Sequence, residues 1–411
     1  MLKSSAEFQR AMSPWVLGPI SLRNRVIKSA TNEGMAPAGM PTRALVKHHQ
    51  SMAAGGVGMT TVAYCSVSDD GRTFPDQIVL NDGTVKHLRA ITDAVHREGA
   101  AICAQITHGG AFNFLPALST RYPHSSSSGF NAAGVLSGRF FKHAMTRQDM
   151  KQVRQEFVNG AITAQAGGFD AVELHMGHGY LLSQFISPHY NRRKDAYGGV
   201  PRDRARFPAE VLDGVRDAVG DRMAVVCKIS MFEGYKGGGT VEDSVEVSKL
   251  LSEHGAHLIV LSAGMNVETP WTIFGSRIPK GSAGNNQSFV MKAASQILQW
   301  QQPKIEYHDM YLLEAARQIR AAVKSPLAYL GGVKSIEGIE QAMRDGFDAI
   351  VMGRALIHQP DLLKDFNAGK RARSGCTSCN QCVTMMYTAG GTRCPLTAAE
   401  DAPLNRQHAF S

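Results

Sequence analysis

The chain has no long apolar run. Nothing in its 411 residues approaches the roughly 20 apolar positions of a bilayer-crossing helix. The opening stretch MLKSSAEFQRAMSPW has no apolar core of the kind that starts a secretory signal. No membrane association is therefore expected, and a cytoplasmic location is. Basic arms are missing too: the net charge of +9 comes from Lys and Arg dispersed along the sequence, so a solvated basic surface is expected and a nucleic-acid partner is not. No G-x-G-x-x-G follows the first strand-like run, which removes the usual sign of an open dinucleotide-binding sheet.

What is present is an alternation of short apolar runs with longer amphipathic ones, at 43% hydrophobic and 19% charged residues. Strands are expected at Val26–Thr31, Gly58–Ala63, Ala101–Ile106, Phe169–His175, Ala224–Ser230, Leu258–Ser262, Leu327–Leu330 and Ala349–Met352. Helices are expected after them, near Arg43–Ala54, Val85–Glu98, Arg147–Ala166, Ala205–Val219, Val241–Glu253, Tyr311–Val323, Ile336–Asp345 and Pro360–Phe366. Eight such units fit an α/β fold of the (β/α)8 TIM-barrel type. It would occupy residues 1–367, with a short cysteine-bearing extension over 368–411. Two connections, Gly109–Thr146 after strand 3 and Ala263–Asp309 after strand 6, are too long to be simple links. They lie on the face where barrels build their sites, and the second carries Trp271, Phe274 and Phe289.

The fourth strand delivers His175, His178 and Tyr180 within six residues, around Gly177 and Gly179. Two imidazoles and a phenol at a strand's carboxyl end are costly to bury without partners, which marks a ligand site. As metal ligands the pair lacks a carboxylate or third donor in the same run. Strands 7 and 8 end in Gly331-Gly332 and Gly353-Arg354, each followed by a helix, which is where barrels bind phosphate. Gln105 offers donor and acceptor together, as a flavin's edge requires, and Lys228 adds a cation. Together these point to FMN.

The segments LRNRVIKSA, HMGHGYLLSQFISPHYNRRKDAYGG, YLGGV and VMGRALIHQPDL resemble the Old Yellow Enzyme family of FMN-dependent ene-reductases, and more loosely the dienoyl-CoA reductase branch. The resemblance runs from Leu17 to about Phe366. It implies a cytoplasmic oxidoreductase in which NADPH or NADH reduces FMN, and FMN then reduces the activated C=C bond of an enone, enal, nitroalkene or enoyl thioester. It places Ala30 and Thr31 beneath the flavin, Gln105 at its pyrimidine edge and Lys228 beside N1. The phosphate falls to Gly331, Gly332, Gly353 and Arg354, the substrate oxygen to His175 and His178, and the proton to Tyr180. Lys228 stands where the family commonly has Arg, and Asn32 where some members have a redox-tuning Cys. The small-molecule substrate is unnamed, and the oligomeric state, homo-oligomer included, is open.

Cys376, Cys379, Cys382 and Cys394 are expected to share a metal rather than to pair as disulfides. Their spacing, C-x2-C-x2-C-x11-C, is one residue short of the iron-sulfur branch. The chain also ends soon after Cys394, without the domain that feeds such a cluster. Structural zinc is thus expected ahead of an iron-sulfur cluster, with free thiols the remaining reading. Two rival functions are a flavin barrel acting on tRNA, for which a basic RNA-binding extension is missing, and an idle FMN-binding sensor or scaffold, against which His175, His178 and Tyr180 argue.

Overall fold

The structure, a computed structural model, describes residues 5–279, 302–386 and 388–397. Eight strands pair in parallel: β1 (Val26–Lys28), β2 (Met59–Ser66), β3 (Ala101–Thr107), β4 (Ala171–Met176), β5 (Ala224–Ser230), β6 (Leu258–Ser262), β7 (Leu327–Leu330) and β8 (Ala349–Met352). β8 pairs with β1 and β1 with β2, so the sheet closes on itself as the expected (β/α)8 barrel. The outer helices are α1 (Arg43–Ala54), α2 (Val85–Arg97), α3 (Arg147–Ala166), α4 (Arg206–Val219), α5 (Val241–Glu253), α6 (Leu313–Ala322), α7 (Ile336–Arg344) and α8 (Leu362–Asn367). α1, α3 and α5 start at Thr42, Thr146 and Thr240, whose hydroxyls accept N–H bonds from the first turn.

Each strand is buried on both faces, which is why the strands read as continuous apolar runs rather than alternating ones. The inner face is a separate apolar cluster that includes Ile27, Met59, Cys103, Ala171, Ala224, Val226, Leu258, Val260, Ala328, Ala349 and Val351. Leu17 and Leu22, from a two-stranded hairpin (Trp15–Leu17 with Ile20–Leu22), join the same cluster and stopper the barrel's amino-terminal end. Arg23 follows that hairpin and donates to the carbonyls of Val57, Glu98 and Ala53, tying the plug to the turns before β2 and β3.

The connection after β3 is not a plain loop: it contains a small sheet of His124–Ser125, Gly129–Phe130 and Phe141–Ala144. In the connection after β6, Trp271 and Phe274 lie on the short helix Pro270–Phe274, and Phe289 lies outside the described residues. The cysteine-bearing tail packs back on the barrel. Ser374 N–H donates to the Lys334 carbonyl at 2.8 Å, and Thr392 N–H to the Glu33 carbonyl at 2.7 Å. Among the described residues no helix is long and apolar enough to cross a membrane.

Replacing Arg23 by Met leaves three carbonyls at the barrel floor without their donor, at about 1–3 kcal/mol for unmet buried groups. Thermal unfolding of Arg23→Met should therefore move several degrees down, with the flavin chemistry of the folded fraction unchanged. An unshifted midpoint would contradict the plug's role.

Candidate active site

Moving up each strand, the inward series i, i+2 turns from apolar to polar. Cys103 gives way to Gln105, Ala171 to Glu173 and His175, Val226 to Lys228, and Val260 to Ser262. Glu173, absent from the expected site, organises this layer. Its Oε1 accepts from Gln105 Nε2 at 2.6 Å and lies 2.9 Å from Lys228 Nζ, with all three side chains almost fully buried. Gln105 Oε1 is buried and has no partner among protein atoms. An orphan acceptor beside a cation is what a flavin's pyrimidine edge, with its ring N–H and carbonyls, would satisfy.

His175, His178 and Tyr180 are brought together as expected. The His175 ring lies 5.0 Å from His178 and 4.6 Å from Tyr180 by centroids, and His178 Nδ1 is 3.4 Å from His175 Nε2. His178 takes a left-handed backbone, φ +61°, which costs a non-glycine residue and persists only where neighbours impose it. Here they do: Ser230 Oγ accepts its N–H at 3.0 Å, Asn266 N–H donates to its carbonyl at 3.1 Å, and its Nε2 meets Ser262 Oγ at 2.7 Å. Burial, helped by Lys228, pushes the His178 imidazole down to about 3 and His175 well below its ordinary value, so both rings are neutral. Tyr64, which sequence reasoning missed, completes the group. It is hydrogen-bonded to Tyr180, its ring is 5.4 Å from Tyr180 and 5.8 Å from His175, and burial raises its phenol. Its position at a break in β2, past the run called a strand, carried no sequence signal.

Beside this group a cleft of ≈ 720 Å³, open to solvent, runs toward the ends of β7 and β8. Ala30, Thr31, Lys228, Gly332, Gly353 and Arg354 line it, as does Phe274. A Cβ on Gly332 would sit 2.9 Å from the Tyr311 ring and 3.0 Å from Tyr307 Oη, at φ +81°, so only glycine fits that turn. Gly331 has φ +156° and packs against Leu312. Arg354 differs from expectation. Rather than standing free as a fork for phosphate, its guanidinium donates to Phe274 O at 2.7 Å, Ser276 Oγ at 3.1 Å, Ser378 O at 3.3 Å and Asn380 Oδ1 at 2.6 Å. The returning tail supplies two of these acceptors. A second cation, Lys334, lines the same cleft, with Nζ 3.3 Å from Asp309 Oδ1 and 4.5 Å from the Tyr307 ring.

The four tail cysteines are unpaired and line one small cavity with His358, whose Nδ1 is 3.3 Å from Cys394 Sγ. Among the described residues no three of their sulfurs lie mutually within 4.8 Å. Tetrahedral zinc, with bonds of about 2.3 Å, sets its sulfurs roughly 3.8 Å apart, closer than they stand here. In this loop Ser378 and Asn380 are both left-handed, Asn380 bonds to Ser276 and Arg354, Cys379 is exposed and Cys382 is buried.

A parallel barrel whose mouth carries an orphan amide acceptor, a tethered cation and an open cleft at the glycine-bearing ends of β7 and β8 fits a flavin-dependent barrel oxidoreductase. Residues 12–372 match the model of the NADH:flavin oxidoreductase / NADH oxidase family, and the chain belongs to that family. The resemblance to Old Yellow Enzyme is thereby borne out, FMN and a nicotinamide reductant with it. The chain is 37% identical over 388 residues to the 4,4'-dithiodibutanoate disulfide reductase of Rhodococcus erythropolis, covering 93% of each. It is 28% identical to the NADH oxidase of Thermoanaerobacter brockii, across 91% of this chain but 53% of that one, so it spans about half the length of some relatives. The fold matches the old yellow enzyme homologue from Zymomonas mobilis at a TM-score of 0.70 and 22% identity, over 96% of this chain and 99% of that one.

Neutral imidazoles give a pH signature. A phenol bound through its oxygen, followed by its charge-transfer band with the flavin, should show no enzyme inflection between about pH 5 and 8, where an ordinary histidine would titrate. An inflection near pH 6.5 would mean that His175 or His178 charges in the working range.

Proposed function

We propose that the chain reduces activated C=C bonds with NADPH or NADH as electron source, using FMN bound in the cleft between Gln105 and the β7 and β8 exits. FMN, when bound, would supply the hydride chemistry that links the nicotinamide to the substrate. Gln105 and Lys228 would hold the pyrimidine edge, with Ala30 and Thr31 against the ring. Gly331, Gly332 and Gly353 would present backbone to the phosphate, with charge from Arg354 and Lys334. The observation that carries the reading is the grouping of two neutral imidazoles and two phenols at the cleft's edge.

His175 Nδ1 accepts from Gly177 N–H at 3.4 Å, which leaves its proton on Nε2. His178 Nδ1 lies 3.4 Å from that nitrogen and accepts its proton, and His178 Nε2 meets Ser262 Oγ at 2.7 Å. When an acceptor oxygen enters, His178 would carry its proton on Nδ1 with the Ser262 hydroxyl donating to Nε2, so that the two facing nitrogens form a seat for that oxygen, and neutral donors suit an oxygen on which negative charge grows. Tyr180, hydrogen-bonded to Tyr64, delivers its proton to the α-carbon. Purified protein should be yellow and release FMN. Tyr180→Phe should slow reoxidation by an enone about 100-fold or more, in line with the usual worth of a positioned acid, and leave flavin reduction by the nicotinamide intact. Loss of both steps together would contradict the assignment.

A second acceptor class is favoured by the Rhodococcus relative, whose name is that of a disulfide reductase. The same site would serve it: hydride adds to one sulfur, the S–S bond breaks, and Tyr180 protonates the leaving thiolate, giving two thiols. Single-turnover reoxidation by an enone and by a dithio-dicarboxylate, side by side, separates the two classes. We further propose that the tail cysteines hold a group wider than a single zinc ion, or none. Metal analysis should find less than one zinc per chain; a full equivalent would restore the zinc reading.

A further inference from the structure

Behind the barrel wall, between β1, β2 and α1, lies a second buried ion pair that the reading above does not use. Lys28 ends β1 and, being next to inward-facing Ile27, points away from the barrel interior. It is fully buried, yet each of its three donors has an acceptor: Glu33 Oε1 at 2.6 Å, Thr31 Oγ1 at 2.9 Å and the Thr61 carbonyl at 3.4 Å. Glu33 is 1% exposed. Its other oxygen accepts from Ala63 N–H at 2.8 Å, and its own N–H donates to the Ala63 carbonyl at 3.3 Å.

These contacts fall at two informative places. Thr31 lines the cofactor cleft. Ala63 sits where the register of β2 against β3 shifts, between Val62 and Cys65, so its N–H has left the ladder and Glu33 supplies the missing acceptor. The next residue is Tyr64, packed on His175 and Tyr180. Stability does not account for such a pair, because burying two charges roughly cancels their attraction and well-packed apolar residues often do better. Nor is it evidently a metal site. Glu33, His48 and His49 offer ligand atoms within 4.8 Å of one another, but the Lys28 ammonium already holds the Glu33 oxygen a cation would take.

We infer that Lys28 and Glu33 are positioning residues for the reaction: the pair joins the β1 exit at Thr31 to the β2 bulge at Ala63 and so sets Tyr64 against the proton donor Tyr180. This rests on the reading of His175, His178 and Tyr180 as the acceptor site. The test uses the FMN-loaded full chain in two neutral double variants. In K28M/E33Q the amide is long enough to accept the Ala63 N–H; in K28M/E33N it is not, and neither strands a charge. K28M/E33N should bind FMN and be reduced by the nicotinamide as the parent is, but reoxidise about 100-fold more slowly, the cost of misplacing a reacting group by about 1 Å. Its phenol charge-transfer band should weaken as well, and K28M/E33Q should recover most of both. Equal behaviour of the two variants, or equal loss in both half-reactions, would overturn the inference. K28M/E33L makes the same comparison if K28M/E33N does not fold. If neither folds while K28M/E33Q does, the pair is a folding element and the inference fails. A parent protein without FMN or without the ligand band would refute the acceptor-site reading instead.

Discussion

The carboxylate of Glu173 is the constraint on which the barrel's mouth depends. A charge this deep would be strongly disfavoured alone, and it persists because Gln105 and Lys228 both bind the same oxygen. The consequence is orientation. With its NH2 group committed to Glu173, Gln105 is left with a buried carbonyl oxygen that has no partner among protein atoms. Lys228, a flexible point charge where the family commonly has a planar fork, takes its direction from the acid rather than from its own geometry. A lysine there without Glu173 would be free to choose among rotamers, and its charge would no longer be fixed at the barrel's mouth.

Two buried ion pairs thus bracket the reacting group, one inside the barrel and one behind its wall. Each ties neighbouring strands at the height where the inward residues change from apolar to polar. Below that height the barrel is held by close packing of aliphatic side chains, which tolerates small shifts. Above it, directional bonds take over, and the left-handed His178 shows how far they reach: three hydrogen bonds from β5, β6 and the loop beyond β6 hold a backbone that the residue would not choose alone.

The barrel was legible because apolar runs of four to eight residues between amphipathic helices leave few alternatives, and all eight strands lie at or near their expected places. His175, His178 and Tyr180 were legible because they are adjacent in sequence. Glu173 is two residues before His175 and so on the same strand face; alternation alone could have placed it with Gln105 and Lys228. Tyr64 and Glu33 were not legible, since their positions depend on a bulge and on a contact between strand exits that no local pattern encodes. The fate of Arg354 was hidden for a related reason. Its partners Ser276, Ser378 and Asn380 come from a distant connection and a tail whose path back over the barrel has no signature in composition.

That path changes the meaning of the tail. Lys334 donates to the Cys376 carbonyl at 3.4 Å and Arg354 to that of Ser378, so both cations beside the cleft's phosphate end hold the cysteine loop. On the opposite side, Thr392 bonds the carbonyls of Asn32 and Glu33, two residues from Thr31 in the cleft wall. A segment fastened at the exits of β1, β7 and β8 forms part of the cleft. Arg354, with Nη1 and Nη2 bonded to the wall, would still contribute its charge to an anion bound in the cleft, because Coulomb attraction does not require a hydrogen bond. Its directional bonds close the wall of the cleft, and a change that spreads the four sulfurs would act on the same bonds through Ser378 and Asn380.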